Sequence, residues 1–246
     1  MSKVILCDAV ELANSLPENS VNLLLTDPPY FGIVDDGWDN QWTSEKHFAE
    51  WLCGVFGAFH SRLTQTGSIV FFSCLGKHGS HPIFDIVRML EGKYFFRQWI
   101  TWRKRRAYGK SHDYLYTREE ILWFSKSSDR TSVTFNIPYT SELRGYDGWD
   151  ERYKPKSEFK RVSNVFTDID EGTVIEHTEV MKPFRTAQKP VELMKRLVST
   201  HSVEGDLVVD PFCGTGMTGK ACKELKREFV GCDLDAQAID IAKWNV

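Results

Sequence analysis

Apolar residues fall in short runs at 4–6, 21–26, 69–73, 95–102, 121–124, 207–209 and 229–231. Between most of these runs lie longer stretches whose apolar residues recur every three or four positions. The runs predict buried strands, and the stretches predict helices at 9–16, 45–63, 81–90, 190–200, 218–226 and 236–244. Pro190 suits the first turn of its helix, where no intrahelical N–H bond is lost. Residues 31–43 read as a loop of Gly and Asp carrying Trp38 and Trp42. Residues 127–182 lose both periods and turn polar, which predicts an inserted region with little regular structure of its own. No internal repeat or low-complexity tract interrupts the pattern.

Strands alternating with helices predict an α/β fold, a mostly parallel sheet with helices on both faces. In such sheets a ligand sits beyond the carboxyl ends of the strands. Four expected strands end at carboxylates: Asp8, Asp27, Asp210 and Asp233.

Residues 208–219 read as a strand, a tight loop and the start of a helix, Val-Val-Asp-Pro-Phe-Cys-Gly-Thr-Gly-Met-Thr-Gly. Glycine lets the backbone approach a ligand closely, and a helix amino terminus offers free N–H groups to an anion. Asp233 ends the next strand, 23 residues after Asp210. That spacing suits a carboxylate accepting from ribose hydroxyls. Gly214, Gly216 and Gly219 also spell GxGxxG, so a dinucleotide-dependent oxidoreductase stays open as an alternative. Cys213 reads as a small residue packing the loop, since no histidine neighbour is implied.

The run at 21–26 stops at Asp27-Pro28-Pro29-Tyr30, because two prolines cannot continue a central strand. The exocyclic amino nitrogen of a nucleobase is a poor nucleophile, its lone pair being delocalised into the ring. Two acceptors aimed at its hydrogens pull it towards a tetrahedral geometry. The Asp27 carboxylate can be one and the Pro28 carbonyl the other, with Pro29 stiffening the turn. The Tyr30 ring offers a stacking face to an extruded base.

These two motifs resemble those of the DNA amino-methyltransferases, whose catalytic signature is (D/N/S)PP(Y/F/W) and whose cofactor loop is DPFxGxG. The catalytic turn precedes the cofactor loop by about 180 residues, as in the β class of that family. The resemblance spans nearly the whole chain. It takes in residues 67–73, Trp102 with Lys104, residues 121–126, and Arg185-Thr186-Ala187-Gln188-Lys189-Pro190.

It implies a circularly permuted, Rossmann-like methyltransferase fold. Residues 1–126 would be the catalytic half and 183–246 the cofactor half of one domain, with 127–182 as a target-recognition insert. The third strand of the cofactor half must then come from residues 4–6. The cofactor implied is S-adenosylmethionine. Asp8 would lie near its adenine, Asp210 near its methionine part and Asp233 on its ribose, with Phe212 also among the cofactor-binding residues. Gln188, Lys189, Thr215 and Thr218 would bind its carboxylate, and Gly214 and Gly216 would let the backbone close on it. The reaction implied is methyl transfer to adenine N6 in a flipped-out base. Cytosine N4 is the alternative, since DPPY is typical of N6 enzymes and SPPY of N4 enzymes. No Pro-Cys pair occurs, so the loop typical of carbon-5 cytosine methylation is missing.

Charge sharpens the choice of partner. The net charge is only −3, but residues 97–161 carry 15 Lys/Arg against 9 Asp/Glu. A basic middle in an acidic body suits a phosphate-binding surface. Arg103, Lys104, Arg105, Arg106, Tyr108 and Lys110 are the candidate contacts to double-stranded DNA, with Tyr114, Tyr116 and Arg118 close by. A solvated hairpin is the bland alternative. The six cysteines form no CxxC pair, and no metal site is expected. No apolar stretch approaches the ~20 residues of a membrane span, so the expectation is a cytoplasmic protein with reduced thiols. Family analogy raises a homodimer, which no sequence feature decides.

Overall fold

The computed structural model describes residues 2–32, 41–73, 81–108, 111–112, 114–144, 157–171 and 188–246, with side chains 106–108 left aside. The candidates Trp38, Lys110, Arg185, Thr186 and Ala187 lie outside the described residues, as do the side chains of Arg106 and Tyr108. The elements in order are β1 (Lys3–Leu6), α1 (Ala9–Ser15), β2 (Val21–Thr26), α2 (Glu45–Ala58), β3 (Leu63–Ser73), α3 (Pro82–Leu90), β4 (Phe95–Tyr108) and β5 (Tyr116–Ser125). Then come β6 (Tyr139–Leu143), β7 (Phe159–Arg161), β8 (Val165–Phe166), α4 (Val191–His201), β9 (Leu207–Asp210), α5 (Met217–Glu224), β10 (Glu228–Asp233) and α6 (Ala236–Asn245).

Eight strands form one sheet in the order β1-β10-β9-β2-β3-β5-β4-β8. The pairings from β1 to β3 are all parallel, whereas β5 runs antiparallel to both β3 and β4. The first strand of the chain thus pairs with the last, Leu6 opposite Asp233. This is the permuted Rossmann-like arrangement that the two motifs imply.

Successive side chains of a strand point to opposite faces, and both faces here are covered. Leu24, Ile69, Phe71 and Val209 pack with α1, α2 and α3. Leu23, Leu25, Val70, Phe72 and Val208 pack with α4, α5 and α6. Burial on both sides explains why β2 reads as a continuous apolar run rather than an alternating one.

Several boundaries differ from expectation. Helix α2 stops at Ala58 rather than at 63, because Leu63 leaves the helix to pair with Val21. Residues between Leu63 and Ser68 bulge out of register, so β3 starts earlier than expected. Helix α5 ends before Lys226, which takes a left-handed φ of 57°. The largest difference is the β4–β5 hairpin. Both strands run on past the apolar residues, so that the basic cluster lies on the strand itself.

The polar insert has only the three short strands β6, β7 and β8, yet it is attached to the main body. Val133 and Phe166 are buried in the core. The Trp102 Nε1–H donates to the Ile169 carbonyl at 2.8 Å, and β8 extends the sheet beside Thr101 and Trp102.

Candidate active site

The carboxyl ends of β1, β10, β9 and β2 lie side by side in the sheet. Each leads into one of the four expected carboxylates, Asp8, Asp233, Asp210 and Asp27. The motif loops, far apart in sequence, are therefore neighbours.

In the cofactor loop Gly214 and Gly216 take positive φ of 48° and 85°, a region that favours glycine. Their surroundings differ. A Cβ on Gly214 would meet open space, whereas one on Gly216 would press on Ala242 at 3.0 Å. A Cβ on Gly219 would overlap Val246 at 2.3 Å and Phe229 at 2.8 Å. Gly214 thus leaves the loop face open to a ligand, while Gly216 and Gly219 serve helix packing. Asp233 accepts from the Gly214 N–H at 2.9 Å and from the Asp235 N–H at 3.0 Å. A carboxylate beside an open glycine backbone fits a ligand that offers hydroxyl groups. Thr215 turns its carbonyl to the Asn245 side chain at 2.8 Å.

Asp210 is buried, and its oxygens are committed inside the protein. The Thr26 hydroxyl donates to Oδ1 and the Thr218 hydroxyl to Oδ2, both at 2.6 Å, and the Phe212 N–H reaches Oδ1 at 3.1 Å. Burial pushes its carboxyl up to about 7, outweighing those donors, which pull the other way. Asp210 and Thr218, expected at the cofactor, act first as a tie between β2 and the cofactor loop. Phe212 turns its ring to Trp51 of α2, with centroids 5.7 Å apart. Trp42 packs against both Trp51 and Phe48 and is a hydrophobic anchor. Asp8 caps α1, accepting from the Val10 N–H at 2.8 Å.

The Asp27–Tyr30 turn meets a chain of charged side chains. Tyr30 donates its hydroxyl to Asp27 Oδ1 at 2.6 Å, and Lys189 places its ammonium on Asp27 Oδ2 at 2.5 Å. Lys189 also reaches Glu119 Oε2 at 3.2 Å, and Glu119 in turn pairs with Lys104. The Lys189 ammonium lies 5.6 Å from the centre of the Tyr30 ring and 5.0 Å from that of Phe72. Burial pushes the Asp27 carboxyl up, Lys189 pulls it down and Glu119 adds to the rise; the net direction is upward. For Glu119, burial is outweighed by Lys189 and Lys104, and its carboxyl falls below the ordinary value. Burial lowers Lys189 less than Asp27 and Glu119 raise it, so it stays an ammonium. No hydrogen bond to the Pro28 carbonyl is made among the described residues.

Two placements correct the expectation. Lys189, expected on a cofactor carboxylate, is taken up by Asp27 and Glu119. Lys104, expected at the DNA surface, points inward, since alternate residues of a strand face opposite ways. Arg103 and Arg105 are exposed on the other side, Arg105 paired with Asp170 at 2.6 Å. Gln188 lines a cleft of about 780 Å³ between the insert, α4 and α5, whose wall also includes Lys189 and Met217. Glu119 was not expected at all. The signal was its place at the mouth of an apolar strand, opposite a basic strand with which it forms a hairpin. Among the described residues no group of three or more His, Cys, Asp and Glu is arranged to hold a metal ion. Nor is any helix among them long and apolar enough to cross a membrane.

A permuted α/β sheet with the Asp27–Tyr30 turn beside a glycine loop defines a methyltransferase-like architecture. Residues 21–244 match the family model described as DNA methylase, that of the N6 and N4 amino-methyltransferases. The chain belongs to this family of DNA methyltransferases. It is 30% identical to the type II methyltransferase M.HpaI of Haemophilus parainfluenzae, over 98% of this chain and 73% of that one. Among solved structures it is similar to the M1.HpyAVI complex with S-adenosylmethionine (TM-score 0.67, 23% identity, 100% of this chain and 98% of that one). It is also similar to the PvuII DNA methyltransferase, which is cytosine-N4-specific (TM-score 0.71, 17% identity, 98% and 85%).

Proposed function

We propose that this DNA methyltransferase modifies adenine N6 in a base turned out of the duplex. The methyl donor is S-adenosylmethionine, which supplies an electrophilic methyl on a sulfonium. The observation that carries the reading is the Asp27-Pro28-Pro29-Tyr30 turn, one sheet position from the Asp210–Gly219 loop. Gly214 and Asp233 would take the donor, the first through its open backbone face and the second through its carboxylate.

The base then offers its two N–H groups to Asp27 and to the Pro28 carbonyl. Tyr30 orients Asp27 through its hydroxyl and gives the base a ring to lie against. The nitrogen lone pair forms the new N–C bond while the C–S electron pair stays on sulfur. One N–H proton leaves toward an Asp27 oxygen or solvent. Transfer from a sulfonium leaves a neutral thioether, so positioning and electrostatics are what the protein must supply.

The exposed Arg103 face of the hairpin fits phosphate contact, and residues 127–182 fit target recognition. The enzyme would work in the cytoplasm on chromosomal DNA. Unmethylated DNA incubated with the enzyme and labelled S-adenosylmethionine, then digested to nucleosides and read by mass spectrometry, should yield N6-methyladenine. N4-methylcytosine as the product would overturn the adenine assignment, and unlabelled DNA would overturn the activity.

A further inference from the structure

Resting on that reading, Asp27 has no oxygen free of a donor. Oδ1 holds the Tyr30 hydroxyl and Oδ2 holds the Lys189 ammonium. An incoming amino group competes with these two donors for the carboxylate. Lys189 already touches a second carboxylate, Glu119, at 3.2 Å. The four charges form a row, Lys104–Glu119–Lys189–Asp27, of two cations and two anions. It is most deeply buried in the middle, where the Lys189 side chain is only 6% exposed, and opens towards Lys104 and Asp27 at 24% and 25%.

We propose that Lys189 is a resident stand-in for the substrate amine, and that Glu119 is the positioning residue that receives its ammonium when the base arrives. The handover conserves charge. Lys189 gives up its contact with Asp27 Oδ2 and keeps the one with Glu119, and the base amino group donates to the vacated oxygen. No proton need move. In the resting enzyme the ammonium gives Asp27 a counter-charge, without which a largely buried charge is costly. With the base in place, Glu119 prevents the displaced ammonium from being stranded in turn. A single buried lysine between two carboxylates is thus a two-position element, and the substrate biases it.

The test compares Glu119→Gln, Lys189→Met and the double variant, with methyl transfer to unmethylated plasmid DNA and cofactor binding by calorimetry measured separately. Glu119→Gln leaves Lys189 with no second carboxylate, so it should cling to Asp27. The expected loss in kcat is about 30-fold, or ~2 kcal/mol at 1.36 kcal/mol per decade, with the cofactor Kd unchanged. Adding Lys189→Met should uncover Asp27 and recover about tenfold of that loss, a non-additivity expected of groups acting as a unit.

A double variant as slow as Glu119→Gln, or slower, overturns the handover and leaves Glu119 a structural residue. A tenfold weaker cofactor Kd in Lys189→Met overturns it too, by assigning Lys189 to the cofactor. Should Glu119→Gln not fold, the wild-type protein carries the test. Its Lys189 15Nζ resonance, assigned by its absence in Lys189→Met, should shift on saturation with DNA fragments that the enzyme methylates. An unmoved resonance overturns the proposal. Wild-type enzyme that methylates no DNA would instead bring down the functional reading itself, a result distinct from active wild type with no rescue.

Discussion

Asp233 and Asp210, at the ends of β10 and β9, accept from backbone N–H groups and short hydroxyls. Asp27, one strand further along the sheet, accepts from a tyrosine and from a lysine that also serves a second carboxylate. The donors of the first pair are fixed by the fold: glycine backbone, a helix start, and threonines on β2 and α5. Both donors of the second are side chains, and one of them, Lys189, has a second carboxylate within reach. A cofactor loop of fixed dipoles costs little reorganisation when a ligand arrives. On the proposed reading the Asp27 turn accepts an entering base and needs a donor able to leave. The two halves of one sheet edge would then divide into a preformed part and an exchangeable part.

The severest way to break this comparison is to remove the acceptor at its exchangeable end. Asp27→Ala should lower methyl transfer by about 10³-fold or more, as loss of a group bonded to the reacting atom commonly does, while the cofactor Kd stays within about threefold of wild type. Single-turnover transfer and calorimetry on one preparation check both arms. Retained transfer would remove Asp27 from the chemistry, and lost cofactor binding would mean the two parts are not separate.

The preformed part can be probed through acidity. The Asp210 carboxyl is held at about 7 in the folded protein against an ordinary 3.8, chiefly by burial. With the folded value raised, the native state holds the proton more tightly. Its contribution to stability is complete below about pH 4 and lost as pH rises through about 7. Asp210→Asn removes that proton and keeps an acceptor for Thr26 and Phe212. The urea midpoint of the variant should therefore gain on wild type steadily between pH 4 and 7 and level off above. A difference that stays constant across the window would mean that Asp210 is ionised throughout. Smaller in effect is Gly231→Ala, whose Cβ would meet the Cys213 Cβ and the Phe229 ring at 2.8 Å. Overpacking of this kind costs ~1–3 kcal/mol, which a urea titration would show without change in the catalytic turn.

Much of this was legible in the chain itself, for physical reasons. β2 and β9 are buried on both faces, so they read as apolar runs, and prolines and glycines mark where those runs must turn. Their motifs are local, and locality is what a sequence displays. Residues 4–6 could be placed beside the last strand because a three-strand cofactor half needed one more strand than its own segment provides. The reach of the hairpin was not legible. Residues 103–108 and 116–120 are mostly polar although they lie on strands, and polarity there imitates a loop. With that boundary missed, alternation could not be applied to Arg103, Lys104 and Arg105, and they read as one basic patch. Glu119 was missed for the same reason, since its partners Lys104 and Lys189 meet it only through strand register and through a segment 70 residues away.

That hairpin yields the mildest test. Arg103 stands opposite Arg118 across the β4–β5 ladder, and like charges in that position weaken a sheet. Arg118 is answered by Glu120 at 2.9 Å, while Arg103 is exposed. A polyanion lying over the ladder would relieve that repulsion, and an empty surface would not. Arg103→Ala should leave the urea midpoint unchanged or slightly higher, within about 0.5 kcal/mol. It should weaken DNA binding only a few-fold, and reduce the slope of log K against log salt by about 1, the loss of one phosphate contact. Cofactor affinity should not change, because the preformed loops lie at the other end of the sheet edge. An unaltered salt slope would take the phosphate backbone off this face of the hairpin, and with it the reason for placing two arginines opposite each other.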